Sequence, residues 1–179
     1  LRSPSGKSMT VEQTEPYPHH RSFWFADTVQ LEGQREASFY NALYSGTGDT
    51  GVLMTFIASA HGLTFEGCEF LAGAAGMTKA LSITDCAHVR IKDCDFKVGG
   101  GSMTNIFGVA IEIAGTTSIH DLMIVGNRIT ATAGITIANG TLMGSLVADN
   151  YIRATALCLN DASSDVQVIN NRFISDAND

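Results

Sequence analysis

The chain has 179 residues, 45% hydrophobic and 16% charged, which is enough apolar material for one domain with a sizeable core and too little charge for a typical helical protein. A formal net charge of -7 excludes a general affinity for nucleic acid or anionic membrane, since both need a basic face. No apolar run reaches the roughly 18 residues of a membrane span, so none is expected.

Residues 1–22 hold all three prolines and little apolar periodicity, which predicts a linker or an extended arm. The chain opens on Leu1 with no signal-peptide pattern, as a fragment or a processed product would. Residues 22–33, SFWFADTVQLEG, combine aromatic bulk with the alternation Val29, Leu31 and suit a first rung or a cap over the end of a stack. Residues 34–46 place Phe39 and Leu43, then Tyr40 and Tyr44, at helical spacing before Gly46; a short helix and a strand compete there. Residues 1–50 are accordingly set apart as arm and cap, and 51–179 as the regular body. From Gly51 onward the period is two.

The body repeats one phrase: LTFEGCEF at 63–70, VRIKDCDF at 89–96, LMIVGNRI at 122–129, SLVADNYI at 145–152 and VQVINNRF at 166–173. Self-similarity at such a period marks a solenoid. A second short strand precedes each phrase, with Met54 and Phe56, Leu81 and Ile83, Ile111 and Ile113, Ile135 and Ile137, and Leu157 and Leu159 on one side. The inward columns of the phrase are Leu63, Val89, Leu122, Ser145 and Val166, then Phe65, Ile91, Ile124, Val147 and Val168, then Phe70, Phe96, Ile129, Ile152 and Phe173. Parallel stacking puts equivalent residues about 4.8 Å apart, so each column is a ladder of like side chains, and Ser145 is the misfit.

Within the phrase, Cys68, Cys94, Asn127, Asn150 and Asn171 share one place. A chain turning between two strands leaves backbone groups unpaired, and an Asn amide both donates and accepts there. Over residues 50–176 this resembles the asparagine ladder of right-handed parallel β-helices of the pectate-lyase-like class, which holds polysaccharide lyases and hydrolases, epimerases and trimeric phage tailspikes. The resemblance implies an all-β, single-stranded right-handed parallel β-helix of about five to six coils, most like a tailspike or tail-fibre segment. An extracellular or virion location goes with it. No catalytic motif of an enzyme family is visible. The four cysteines show no metal spacing and suit buried free thiols.

Outward residues carry the candidate chemistry. The place after the ladder reads Glu69, Asp95, Arg128, Tyr151, Arg172. Glu69 and Asp95, one rung apart, match the separation of about 5 Å between the carboxylates of a retaining glycosidase; a solvated charged face neutralised by Arg90, Lys92 and Arg128 is the plainer alternative. Arg128, Tyr151 and Arg172, with Trp24 and Phe107, are candidates for binding sugar. Met123, Val125, Leu146, Ala148 and Ile169 put apolar side chains where solvent-facing ones belong, which predicts a homotrimer contact unless the aromatic arm covers them.

His61, His88 and His120 approach one corner, where backbone-bonded imidazoles are preferred to a metal site. Asp161 and Asp165 suit turn capping rather than weak Ca²⁺ binding. GTGDTG at 46–51 and VGGGS at 98–102 do not lead from a strand into a helix, so they are not phosphate cradles. No cofactor is expected. Two functions are open: a trimeric spike attaching to cell-surface carbohydrate, or a polysaccharide-degrading enzyme, hydrolase more than lyase, using Glu69 and Asp95. A purely structural fibre segment is the third.

Overall fold

The computed structural model describes residues 9–12, 22–25, 29–32, 37–46, 51–57, 62–73, 75–99, 105–115, 119–138, 142–161 and 165–176. Strand β1 is Met9–Glu12, β2 Ser22–Phe25, β3 Val29–Glu32, β4 Ala37–Tyr40, β5 Leu43–Gly46 and β6 Gly51–Ile57. The repeats then supply β7 Leu63–Glu66, β8 Glu69–Ala72 and β9 Met77–Thr84, followed by β10 Val89–Lys92, β11 Asp95–Val98 and β12 Phe107–Ala114. Next come β13 Ile119–His120, β14 Met123–Val125 and β15 Arg128–Ile137, then β16 Leu142–Met143, β17 Ser145–Ala148 and β18 Tyr151–Asp161. The last coil contributes β19 Val166–Ile169 and β20 Arg172–Ser175.

Every strand pairing is parallel and joins one coil to the next. One sheet stacks β1-β4-β7-β10-β14-β17-β19; a second runs β2-β5-β8-β11-β15 and continues β12-β9-β6-β3, because the long β15 spans two sides of the coil. The molecule is thus an all-β parallel solenoid, with almost no helix among the described residues. The coil count, about four turns, differs slightly from the five to six expected. Over 37–46, the described part of the contested stretch, strand wins: β4 and β5 flank a corner at Asn41 and pair with β7 and β8. Phe39 and Tyr44 point inward from them, stacking on Phe65 at 4.6 Å and Phe70 at 5.4 Å, contacts that a helix would not offer both rings.

The inward columns are hydrogen-bonded in the expected register. Leu63 lies against Val89, Ser145 against Val166, Phe70 against Phe96, and Ile152 against Phe173. Leu63, Phe65, Phe70, Ile91, Ile124, Ile129 and Ile152 are all fully buried, each stabilising the fold by about 1.5–3 kcal/mol relative to an exposed side chain. One column departs from expectation. Ile135 pairs with Leu159, while Leu157 pairs with Ala133 and is 54% exposed, because β18 carries one extra residue between Ala154 and Leu157. An added residue bulges the strand and shifts the pairing register beyond it.

The corner before the ladder residue is left-handed in each coil where it is described: Asn41, Gly67, Asp93, Gly126, Asp149 and Asn170 all have positive φ. Asx and Gly alternate over most of this column for a steric reason. A Cβ on Gly67 would run into Asn41 Oδ1, and one on Gly126 into Asp93 Oδ1. At the top, where Asn170 follows Asp149, the amide Nδ2 donates to the carboxylate at 2.6 Å instead.

Ser145 is 3% exposed and its Oγ has no hydrogen-bond partner. A buried hydroxyl without a partner keeps its desolvation cost and returns nothing. Ser145→Ala is expected to raise stability by about 1 kcal/mol, read as a higher denaturant midpoint; a lower midpoint would show that the hydroxyl is satisfied.

Candidate functional site

The corner next to the site is built by the ladder. Asn127 Oδ1 accepts from the Cys94 N–H at 2.9 Å, and Asn127 Nδ2 donates to the Ile91 carbonyl and to Asn150 Oδ1, each at 2.9 Å. Asn150 repeats the pattern towards Ile124 and Asn171. In the first two copies of the phrase the place is held by buried free thiols: Cys68 Sγ donates to the Phe39 carbonyl at 3.3 Å and Cys94 Sγ to the Lys92 carbonyl at 3.3 Å. The hydrogen bond with Cys68, then burial, hold the Cys94 thiol far above the ordinary range, so it stays protonated.

Because the ladder fixes the corner, the next residue leaves it in the same direction in each coil. Glu69 pairs with Asp95, Asp95 with Arg128, Arg128 with Tyr151 and Tyr151 with Arg172, so the five form one column on consecutive rungs. The column is acidic at one end and basic at the other. Lys97, two residues beyond Asp95 and so on the same face of β11, joins the acids: its Nζ lies 3.1 Å from Glu69 Oε1 and 3.2 Å from Asp95 Oδ2. Burial works to lower the Lys97 pKa, and the Glu69 hydrogen bond and the Asp95 charge outweigh it, so the pKa rises and the ammonium stays charged.

At the basic end, the guanidiniums of Arg128 and Arg172 lie over the Tyr151 ring, their Cζ atoms 5.9 and 5.5 Å from its centroid. Arg153 Nε is bonded to Asp176 Oδ2 at 2.6 Å. The sequence does not single out Lys97 or Arg153, although strand alternation places both on the face of the column. Of the other two sugar candidates, Phe107 lies apart from it. Phe107 is fully buried in the core, and Trp24 lies in β2, whose backbone pairs with β5 at Ser45.

The apolar strip occupies the neighbouring sheet. Met123 pairs with Leu146, and Val125 with Ala148, which pairs with Ile169. One rung earlier the same two positions are Arg90 and Lys92, the latter 3.1 Å from Glu66. The outer face of this sheet therefore changes from charged to apolar along the axis. Met123, Val125 and Leu146 are half-buried, Ala148 is buried between its neighbours and Ile169 is 51% exposed.

At the opposite corner His88 Nδ1 meets Asp121 Oδ2 at 2.9 Å, and the His88 N–H donates to the His120 carbonyl at 2.8 Å. His61 lies outside the described residues. Asp165 Oδ2 accepts from the Gly144 N–H of the preceding coil at 3.2 Å, a bond between coils rather than a cap on its own turn. No helix among the described residues is long and apolar enough to cross a membrane. In comparisons with protein-family models, curated proteins and solved structures, nothing matches the chain.

Proposed function

We propose that the chain is the β-helical segment of a homotrimeric surface fibre or phage tailspike that attaches to cell-surface polysaccharide, in an extracellular or virion setting. The observation that carries this reading is the apolar strip in register across three rungs, on the sheet beside the polar column. An isolated coil gains nothing by putting Met123, Val125, Leu146 and Ile169 outward. Three copies packed about an axis parallel to the solenoid would bury them, each offering the same surface to the next. The column on the adjoining sheet would stay accessible in such an assembly, with its arginines and tyrosine directed outward for a sugar ligand. The fold itself carries no chemistry, so the proposal rests on these surfaces alone.

Solution mass tests it. The wild-type chain is expected at three times its 19.0 kDa, and the Val125→Asp, Leu146→Asp double variant at the monomer mass with its circular dichroism unchanged. Two carboxylates in the centre of an apolar contact would each lose their hydration without a partner. A wild-type monomer at micromolar concentration removes the reason for the fibre.

A further inference from the structure

We infer that the Arg128, Tyr151, Arg172 column binds anionic groups, carboxylate or sulfate, of an acidic polysaccharide, rather than stacking on a neutral sugar. The inference rests on the carbohydrate-attachment reading and names its ligand class. A tyrosine that stacks on a pyranose must offer an open ring face. Here both guanidiniums lie over the Tyr151 ring. The ring serves instead to hold the cations.

Charge pairing separates these two arginines from Lys97, Lys92 and Arg153. Lys97 is neutralised by Glu69 and Asp95, Lys92 by Glu66 and Asp93, and Arg153 by Asp176. Arg128 and Arg172 have no carboxylate within ion-pair distance among the described residues, and Tyr151 is their shared contact. Both side chains are exposed, so their planar N–H edges remain free to meet an oxyanion by paired hydrogen bonds. Resting on the ring restricts their rotamers before any ligand arrives, which lowers the entropy lost on binding.

Position supplies the specificity. The two arginines stand two rungs apart, roughly 10 Å along the axis, so an extended polymer lying along the stack would present successive charged groups to them. A net charge of -7 over the whole chain repels polyanions elsewhere. Glu69 and Asp95 at the lower end of the column set the direction, since an acidic chain would run from Arg128 towards Arg172 and away from the carboxylates.

Binding of the intact chain to four probes of matched length tests this: oligogalacturonate for carboxylate, dextran sulfate for sulfate, and dextran and a neutral mannan as uncharged controls. One or both acidic probes are expected to bind about tenfold more tightly than the neutral ones, and Arg128→Gln with Arg172→Gln to abolish that margin. Tyr151→Phe is expected to keep the affinity, since the ring face survives, whereas Tyr151→Ala would lose several-fold. The stronger of the two acidic probes identifies the anionic group. If neutral probes bind as well as acidic ones, or if the double variant binds acidic probes unchanged, the inference is overturned and carbohydrate attachment stands. If no probe of either kind binds, attachment falls and the inference with it.

Discussion

Replacing Asn150 by Ala is expected to lower the unfolding free energy by about 4 kcal/mol, a large share of the roughly 5–15 kcal/mol that holds a typical domain. Asn150 is 2% exposed and its amide serves the rungs on both sides. Its Oδ1 accepts from the backbone N–H and the Nδ2 of Asn127, and its Nδ2 donates to the Ile124 carbonyl and Asn171 Oδ1, all at 2.9 Å. Truncation leaves the Asn127 N–H and the Ile124 carbonyl facing a small cavity, while Asn127 Nδ2 keeps the Ile91 carbonyl and Asn171 Oδ1 keeps the Asn150 N–H. Each buried orphan costs about 1–3 kcal/mol, and a water entering the cavity recovers part of that.

Asn171→Ala is the control from the same column. It lies on the last rung, is only half-buried, and its Nδ2 donates to the Val147 carbonyl at 2.8 Å while its Oδ1 accepts from Asn150. Solvent reaches the outer side of that rung, so the loss is expected to be about half as large. Denaturant unfolding, with an unchanged slope, measures both. A loss below about 1 kcal/mol for Asn150→Ala would mean that the ladder amides are interchangeable with water.

The ladder is legible in the sequence because a parallel stack in register converts periodicity directly into spatial columns. Asn127, Asn150 and Asn171 recur at one place in the phrase and meet at hydrogen-bond distance for that reason. The same logic places Glu69, Asp95, Arg128, Tyr151 and Arg172 on successive rungs. Features that depend on side-chain reach or on one added residue escape it. Strand alternation puts Lys97 beside the column but does not say that its ammonium spans two rungs to hold both acids. Nor does it say that both arginines lean over Tyr151. The bulge in β18 that turns Leu157 outward arises from three residues where the partner strand has two, and ALCLN alone gives no sign of it. Phe107 looks available in the sequence because its flanks are Gly-rich, yet β12 buries its ring in the stack.

Phe70→Ala is expected to cost about 3–5 kcal/mol, while Phe173→Ala, the same substitution in the same column, is expected to cost about 1 kcal/mol. Phe70 is fully buried, with Phe96 stacked on it at 4.6 Å, Tyr44 at 5.4 Å and the edge contact with Phe65 at 5.6 Å. Removing it opens a cavity between two coils whose backbones are tied by the β5–β8 and β8–β11 pairings and cannot close on the gap. Phe173 pairs below with Ile152 and is 45% exposed above, so its loss removes contacts on one side and leaves no enclosed void. The two substitutions delete identical atoms, and their difference therefore isolates the effect of enclosure from that of transfer out of water. Paired urea titrations of the two variants and the parent chain supply that difference. Equal losses would place Phe173 in an environment as closed as that of Phe70, which requires a further layer seated on the last rung and would make the exposed Val168, Ile169 and Phe173 an occupied surface in solution.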